Sequence, residues 1–272
     1  MGRWSNTPAV DGGVFENWPN PYCPARKRWK ISIIDMSIVF LVVATTLLLI
    51  GALFGDGRRA LAMLAGGLLA GLVLVGLVSG TAWAEGIDAA ISNQFGDHKS
   101  HHTTVVTDAI FKFIGDPLGV AISAAVVGGL LSWRVRSVVP IMLVMGAVAA
   151  AVAVEHTLKA LLGRSLPPDA PADWSVLTDY SHTYPSGHVA GSAALLGTIA
   201  VIGSVGRALS TKVTLAVLVV ATVLSVACMA LYVHAHLFSD VIGGMLLGGA
   251  VVTASAVVVA GHAAFRHRPT SP

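Results

Sequence analysis

Residues 240–262 read DVIGGMLLGGAVVTASAVVVAGH, a single acid followed by an uncharged run that reaches His262. As a helix rising about 1.5 Å per residue, such a run covers the ~30 Å hydrocarbon layer of a bilayer. Six further runs of comparable length lie upstream, at 31–54, 60–83, 116–133, 139–162, 187–206 and 212–233. The chain is 55% hydrophobic and 11% charged, whereas a soluble domain carries about a quarter charged residues. Buried helices of a large soluble protein need polar partners to coat them, and this sequence has no polar faces to offer. The expected fold is therefore all-α: a polytopic transmembrane bundle.

The spans use most of the 272 residues, which leaves no room for a second soluble domain. The expected organisation is an N-terminal tail at 1–30, an extra hydrophobic helix at 31–58, a six-helix membrane domain at 59–265 and a short tail at 266–272. A net charge of +3 implies no nucleic acid partner. Cys23 and Cys228 do not make a disulfide framework. The first 30 residues are polar, carry Trp, Pro and Gly, and end in the basic cluster Arg26, Lys27, Arg28 and Lys30, so they do not read as a cleavable signal peptide. Gly67/Gly71, Gly187/Gly191 and Gly244/Gly248 have the small-xxx-small spacing that lets membrane helices approach closely.

Sidedness follows from the cations in short loops. Arg58 and Arg59, Arg134 and Arg136, Arg207 and Lys212, and Arg266 and Arg268 fall at four mutually consistent places, expected to be cytoplasmic. Residues 84–115, 163–186 and 234–239 then share the opposite face. Seven spans would put the basic N-terminal tail on that opposite face too, in conflict with its charge. Within 84–115, Ile87, Ala90, Ile91 and Phe95 recur at helical spacing, as in a helix at 86–95 lying on the membrane. His98, His101 and His102 follow and read as a solvated loop rather than a metal site.

Three stretches bring ionisable groups to the non-cytoplasmic face, where a membrane chain ordinarily avoids them. Lys159-Ala-Leu-Leu-Gly-Arg164-Ser-Leu166-Pro167 closes the fourth span, Tyr184-Pro185-Ser186-Gly187-His188 opens the fifth, and His234-Ala-His236-Leu-Phe-Ser-Asp240 leads into the seventh. Taken singly, each has an ordinary reading. A lysine at a span end anchors by snorkelling. Ser186 suits an N-cap, and the first turn behind it offers free N–H groups that bind anions. His236 and Asp240 stand four apart, so the carboxylate can orient the imidazole. Together they supply an oriented histidine, a second histidine beside an anion cradle, and cations, which are the parts of phosphoryl transfer.

In order, spacing and flanking spans, these stretches resemble the three signature motifs of the type 2 phosphatidic acid phosphatase and haloperoxidase superfamily: Lys, six residues, Arg-Pro; Pro-Ser-Gly-His; and Ser-Arg, five residues, His, three residues, Asp. Gly115-Asp116-Pro117 is also similar, and the resemblance runs from about residue 60 to 262. It implies an integral-membrane lipid phosphatase that needs no metal or other cofactor and acts on a lipid-borne phosphate or pyrophosphate. It implies His236 as a nucleophile forming a phosphohistidine, Asp240 as its orienting group, and His188 as the acid that protonates the leaving oxygen. Lys159, Ser186 and the Gly187 N–H would hold phosphate oxygens, with Arg164 close by. The haloperoxidase branch is soluble and is not the one implied.

The chain departs from the pattern at two positions: Leu166 and Ala230 stand where the family has arginines, and Met229 replaces the preceding serine. Bidentate guanidinium contacts to phosphoryl oxygens are strong, and losing one preorganised donor lowers rates on the order of 10² to 10³. Arg164, His182 and His234 are the nearby replacements, none with a second fork at the same place. Two expectations follow: a membrane lipid phosphatase, or a catalytically impaired family member serving as an accessory or lipid-binding subunit, with the aromatic tail (Trp4, Phe15, Trp18, Tyr22) as a surface that could dock on a membrane partner. Either is expected in the cell membrane as a multi-pass protein with its site on the extracytoplasmic face.

Overall fold

Apolar length, broken by glycine, proline and short polar turns, sets the helices of this chain. The computed structural model describes residues 57–96, 101–115, 117–162 and 183–266. Among them the chain forms eight helices and no strand: α1 (Gly57–Val78), α2 (Ala82–Gly96), α3 (His101–Gly115), α4 (Pro117–Val135), α5 (Val139–Leu161), α6 (Gly187–Ser204), α7 (Leu209–Tyr232) and α8 (Phe238–Arg266). The tail, the hydrophobic run at 31–54, Arg164, Leu166, Pro167 and His182 lie outside the described residues.

Six of these helices, all but α2 and α3, are long and apolar enough to cross a membrane. They coincide with the six expected spans downstream of residue 57, and the protein is a multi-pass membrane protein. Local chemistry explains the breaks. Pro140 stands in the first turn of α5, where its missing N–H is no loss. Arg136 and Gly206 take positive φ (51° and 70°) at the turns after α4 and α6. The Ile141 N–H donates to Ser132 Oγ at 2.9 Å, fastening the α4–α5 hairpin.

α6 and α8 are the most enclosed helices, with α1 and α7 packed around them and α4 and α5 completing the bundle. Their outer faces are the exposed apolar side chains that lipid solvates, such as Leu74, Leu77, Leu130, Val217 and Leu218. The α6–α8 contact depends on glycine. A Cβ at Gly244 would stand 2.6 Å from the Ser186 carbonyl oxygen, and one at Gly248 would run into the Ala193 Cβ. Gly191, by contrast, faces open space, so only part of the small-residue pattern carries close packing.

The segment between the first two described spans differs from expectation. The helix expected at 86–95 is present as α2, but its stripe is turned onto the bundle. Ile87 is buried, and Ile91 and Phe95 pack on the apolar cluster around Val226 and Val241. Thr81 starts α2 as an N-cap, its Oγ1 accepting from the Ala84 N–H at 3.4 Å. The loop expected after it is in fact α3, beginning at His101. The physical reason is Phe111, 3% exposed, which gives this polar-looking stretch an apolar anchor inside the bundle. Thr103 and Tyr232 hydroxyls, 2.6 Å apart, tie α3 to the end of α7.

Replacing Gly248 with leucine should overpack the α6–α8 contact and destabilise the protein by about 1–3 kcal/mol. Thermal unfolding in detergent should show a melting temperature several degrees below that of the native chain. An unchanged melting temperature would mean that α6 and α8 do not pack through Gly248.

Candidate active site

α6 begins and α8 begins at the same end of the bundle, and one backbone hydrogen bond joins the two starts. The Ser186 N–H donates to the Asp240 carbonyl at 2.9 Å. Gly244 makes that approach possible, since any side chain there would meet the Ser186 carbonyl. Tyr184 fixes the loop ahead of Ser186. Its hydroxyl donates to the Leu72 carbonyl of α1. Its ring lies where a Cβ on Gly76 or Gly243 would stand, at 2.8 and 2.5 Å. The peptide bond between Tyr184 and Pro185 is cis.

The two histidines meet at this junction. The His188 and His236 rings are 6.1 Å apart, centroid to centroid, at 64°. His188 lies in the first turn of α6. His236 lies in the turn between α7 and α8, two residues ahead of the helix, rather than within the helical turn it was expected to share with Asp240. Its Nδ1 is 3.7 Å from Asp240 Oδ2. That separation is beyond hydrogen bonding, and among the described residues Nδ1 is a buried atom without a hydrogen-bond partner. Catalytic hydrogen bonds in unliganded proteins are often long and tighten when substrate binds. Asp240 Oδ2 meanwhile accepts the Leu237 N–H at 2.9 Å, reaching back across the first turn as a capping carboxylate does.

Ser186 stands at the N-cap of α6 but does not cap it: its side chain makes no capping hydrogen bond. Its Oγ is fully buried and, among the described residues, has no hydrogen-bond partner; the same holds for Thr183 Oγ1 three residues earlier. Among the described residues, a buried hydroxyl and the first-turn N–H groups of α6 are thus uncommitted at one place, which is the chemistry of an anion cradle. Lys159, at the end of α5, reaches the same place through Glu155. Lys159 Nζ and Glu155 Oε1 are 2.6 Å apart, with side chains 21% and 12% exposed. The Glu155 carboxylate lies against Gly187, so a Cβ there would stand 2.5 Å from its carbon. Lys159, Ser186, Gly187, His188, His236 and Asp240 are thus gathered at one end of the bundle, and Arg164 lies outside the described residues.

Four residues to which the sequence assigns no role shape this site. Asp88 of α2 is 2% exposed and takes both groups of Ser239: Oδ1 accepts the backbone N–H at 2.8 Å, and Oδ2 the hydroxyl at 2.7 Å. It satisfies a first-turn donor of α8 from another helix and complements the helix dipole. Phe111 of α3 stacks on His188, with ring centres 4.1 Å apart and planes 12° from parallel. Tyr184 and Glu155 are the other two. An acid inside an apolar stripe (Asp88 between Ile87 and Ile91) and an acid four residues before a span-end lysine were visible signals. Nothing in the sequence distinguishes Phe111.

Ala230 is fully buried in an apolar cluster that includes Phe111, Val189, Ala227 and Val241. The position where the resemblance asks for an arginine is therefore closed by hydrocarbon. His234 sits in the following turn with φ of 55°, a left-handed conformation that is uncommon for a side-chain-bearing residue.

The sequence model of the PAP2 superfamily matches residues 140–263. This segment is similar to the PAP2 superfamily. It contains Lys159, Ser186, Gly187, His188, His236 and Asp240, while Asp88 and Phe111 come from outside it. No curated protein matches the chain by sequence. The fold is similar to the crystal structure of a transmembrane PAP2-type phosphatidylglycerolphosphate phosphatase from Bacillus subtilis. The TM-score is 0.61 at 17% identity, covering 75% of this chain and 98% of that one. At that identity the likeness concerns the fold alone, an all-α transmembrane bundle.

Truncating Asp88 to alanine leaves two buried donors of Ser239 without this acceptor, a loss of about 1–3 kcal/mol. Asp88→Asn keeps one acceptor oxygen and should fall between the two. Melting temperatures in detergent are expected in the order native, Asp88→Asn, Asp88→Ala. Equal values for all three would show that α2 does not hold the start of α8.

Proposed function

We propose that this protein is a membrane lipid phosphatase that hydrolyses a lipid-linked phosphate or pyrophosphate through a phosphohistidine, without a metal. The observation that carries the proposal is the junction of α6 and α8, where an imidazole beside a carboxylate lies 6.1 Å from a second imidazole in the first turn of a helix whose N-cap serine hydroxyl is buried and, among the described residues, has no hydrogen-bond partner. The match of residues 140–263 to the PAP2 superfamily supports a lipid phosphatase at the level of the superfamily.

The chemistry follows from which atoms are free. His236 Nδ1 is on the Asp240 side, so Nε2 is the nitrogen that attacks phosphorus. A P–N bond forms as the P–O bond to the lipid breaks, and the departing oxygen takes a proton from His188. Asp240 holds the imidazole and stabilises the cation that develops on it. Water then attacks phosphorus with its proton taken by His188, the P–N bond breaks, and inorganic phosphate leaves. Lys159, Arg164, the Ser186 hydroxyl and the Gly187 N–H neutralise the equatorial oxygens as charge spreads over them. Phosphatidate, phosphatidylglycerol phosphate and polyprenyl phosphates or diphosphates are all substrates of suitable chemistry. The similar fold from Bacillus subtilis is described as a phosphatidylglycerolphosphate phosphatase, and that lipid belongs first in the panel.

The helix ends and turns carrying Arg58, Arg59, Arg134, Arg136, Arg207 and Lys212 lie at the end of the bundle opposite the histidines; Gly261, near the end of α8, lies against the Arg58 side chain there. By the positive-inside rule that end is cytoplasmic, and the site opens on the extracytoplasmic face of the cell membrane. In this reading the catalytic unit is residues 59–265, and 31–56 lie outside the described residues.

A second reading has one observation in its favour. Ala230 lies in a closed apolar cluster rather than beside a second guanidinium, as expected of an accessory or lipid-binding member that has lost turnover.

Purified protein should release phosphate from at least one lipid of the panel. His236→Ala should lower the rate by 10² or more, and His188→Ala by 10² to 10⁴, the range of a general acid. Equal release by native protein and His236→Ala would overturn the phosphatase reading. Absence of release with retained lipid-phosphate binding would establish the second one.

A further inference from the structure

We infer that Glu155 is a resident carboxylate in the phosphate cradle, which the phosphoryl group must displace, and that it sets the site's preference for membrane-borne over free phosphate. The inference rests on the cradle assignment proposed above.

Three observations converge on it. Glu155 Oε1 is 2.6 Å from Lys159 Nζ, so the lysine is already engaged by an anion. The carboxylate presses on Gly187 so closely that a Cβ would be 2.5 Å from Oε2, placing the anion at the first residue of α6. The adjacent Ser186 Oγ is fully buried and, among the described residues, makes no hydrogen bond. A carboxylate held by a cation at a helix start is chemically a stand-in for a phosphoryl group, since both are anions that accept from the same donors.

The consequence is a matter of charge. Glu155 neutralises Lys159 in the resting site, and a phosphate entering beside it meets a like charge at close range, where the protein screens poorly. Inorganic phosphate, which brings only its charge, is held weakly and leaves readily. A lipid phosphate also buries acyl or prenyl chains, and that apolar contribution can displace the carboxylate from the lysine. Glu155 then acts as a specificity-determining residue, and it prevents product from occupying the cradle.

The test is binding of inorganic phosphate to the full-length protein in detergent, measured by titration calorimetry for native protein, Glu155→Gln, Glu155→Asp and Lys159→Gln. Each variant is first checked for an unchanged melting temperature. Glu155→Gln should tighten phosphate binding about tenfold or more. Glu155→Asp, whose shorter side chain withdraws from Gly187, should tighten it less, and it serves alone if the glutamine variant does not fold. Lys159→Gln should weaken binding. If both Glu155 variants bind no tighter than native while Lys159→Gln weakens binding, the cradle stands and the inference is overturned: Glu155 merely positions the lysine. If no protein binds phosphate, the cradle assignment falls and the inference with it.

Discussion

The approach of α6 to α8 is the constraint on which the site depends. The Ser186 N–H reaches the Asp240 carbonyl only because Gly244 presents no side chain to the Ser186 oxygen. That contact fixes the turn bearing His236 against the helix bearing His188. Everything else in the site is arranged around it. Tyr184 anchors the incoming loop to α1, Asp88 holds the first turn of α8 from α2, and Phe111 stacks on His188 from α3. The pattern is one of two histidines whose positions are set by neighbours on other helices, as preorganised catalysis requires.

Polar groups buried near a membrane boundary are costly unless satisfied. Here the first turn of α8 is satisfied twice, by Asp88 at Ser239 and by Asp240 at Leu237. The first turn of α6 is treated differently: Ser186 sits at its cap without capping it. One helix start is capped and the neighbouring one is left without a side-chain cap, and Glu155 lies against the uncapped one. This asymmetry separates the groups that position His236, the proposed nucleophile, from those proposed to bind phosphate.

The spans were legible because apolar length is a one-dimensional property, and helices α1 and α4–α8 needed nothing more. The histidine and aspartate positions were legible because motif spacing survives without packing information. What failed to show was contact between helices distant in sequence. Phe111 reads as any membrane-facing aromatic, yet it lies on a helix from a stretch that resembled a polar loop. The stripe of α2 was visible, but its partner, protein rather than lipid, depends on Asp88 finding Ser239 151 residues away. Glu155 gains meaning only when α6 is set beside α5. Ala230, read as a missing donor, turns out to close an apolar cluster, because α7 turns that side chain toward Val189 and Phe111.

The central claim is that His236, held beside Asp240 and facing His188, carries the phosphoryl group. Rapid acid-free quenching of the purified protein turning over a radiolabelled lipid phosphate, followed by peptide mass spectrometry, tests it most directly. A base-stable, acid-labile label is expected on His236 of the native protein during turnover, and none at this position in His236→Ala. Phosphate release with the label on another side chain, or with no label on His236 under conditions that trap the intermediate, would contradict it.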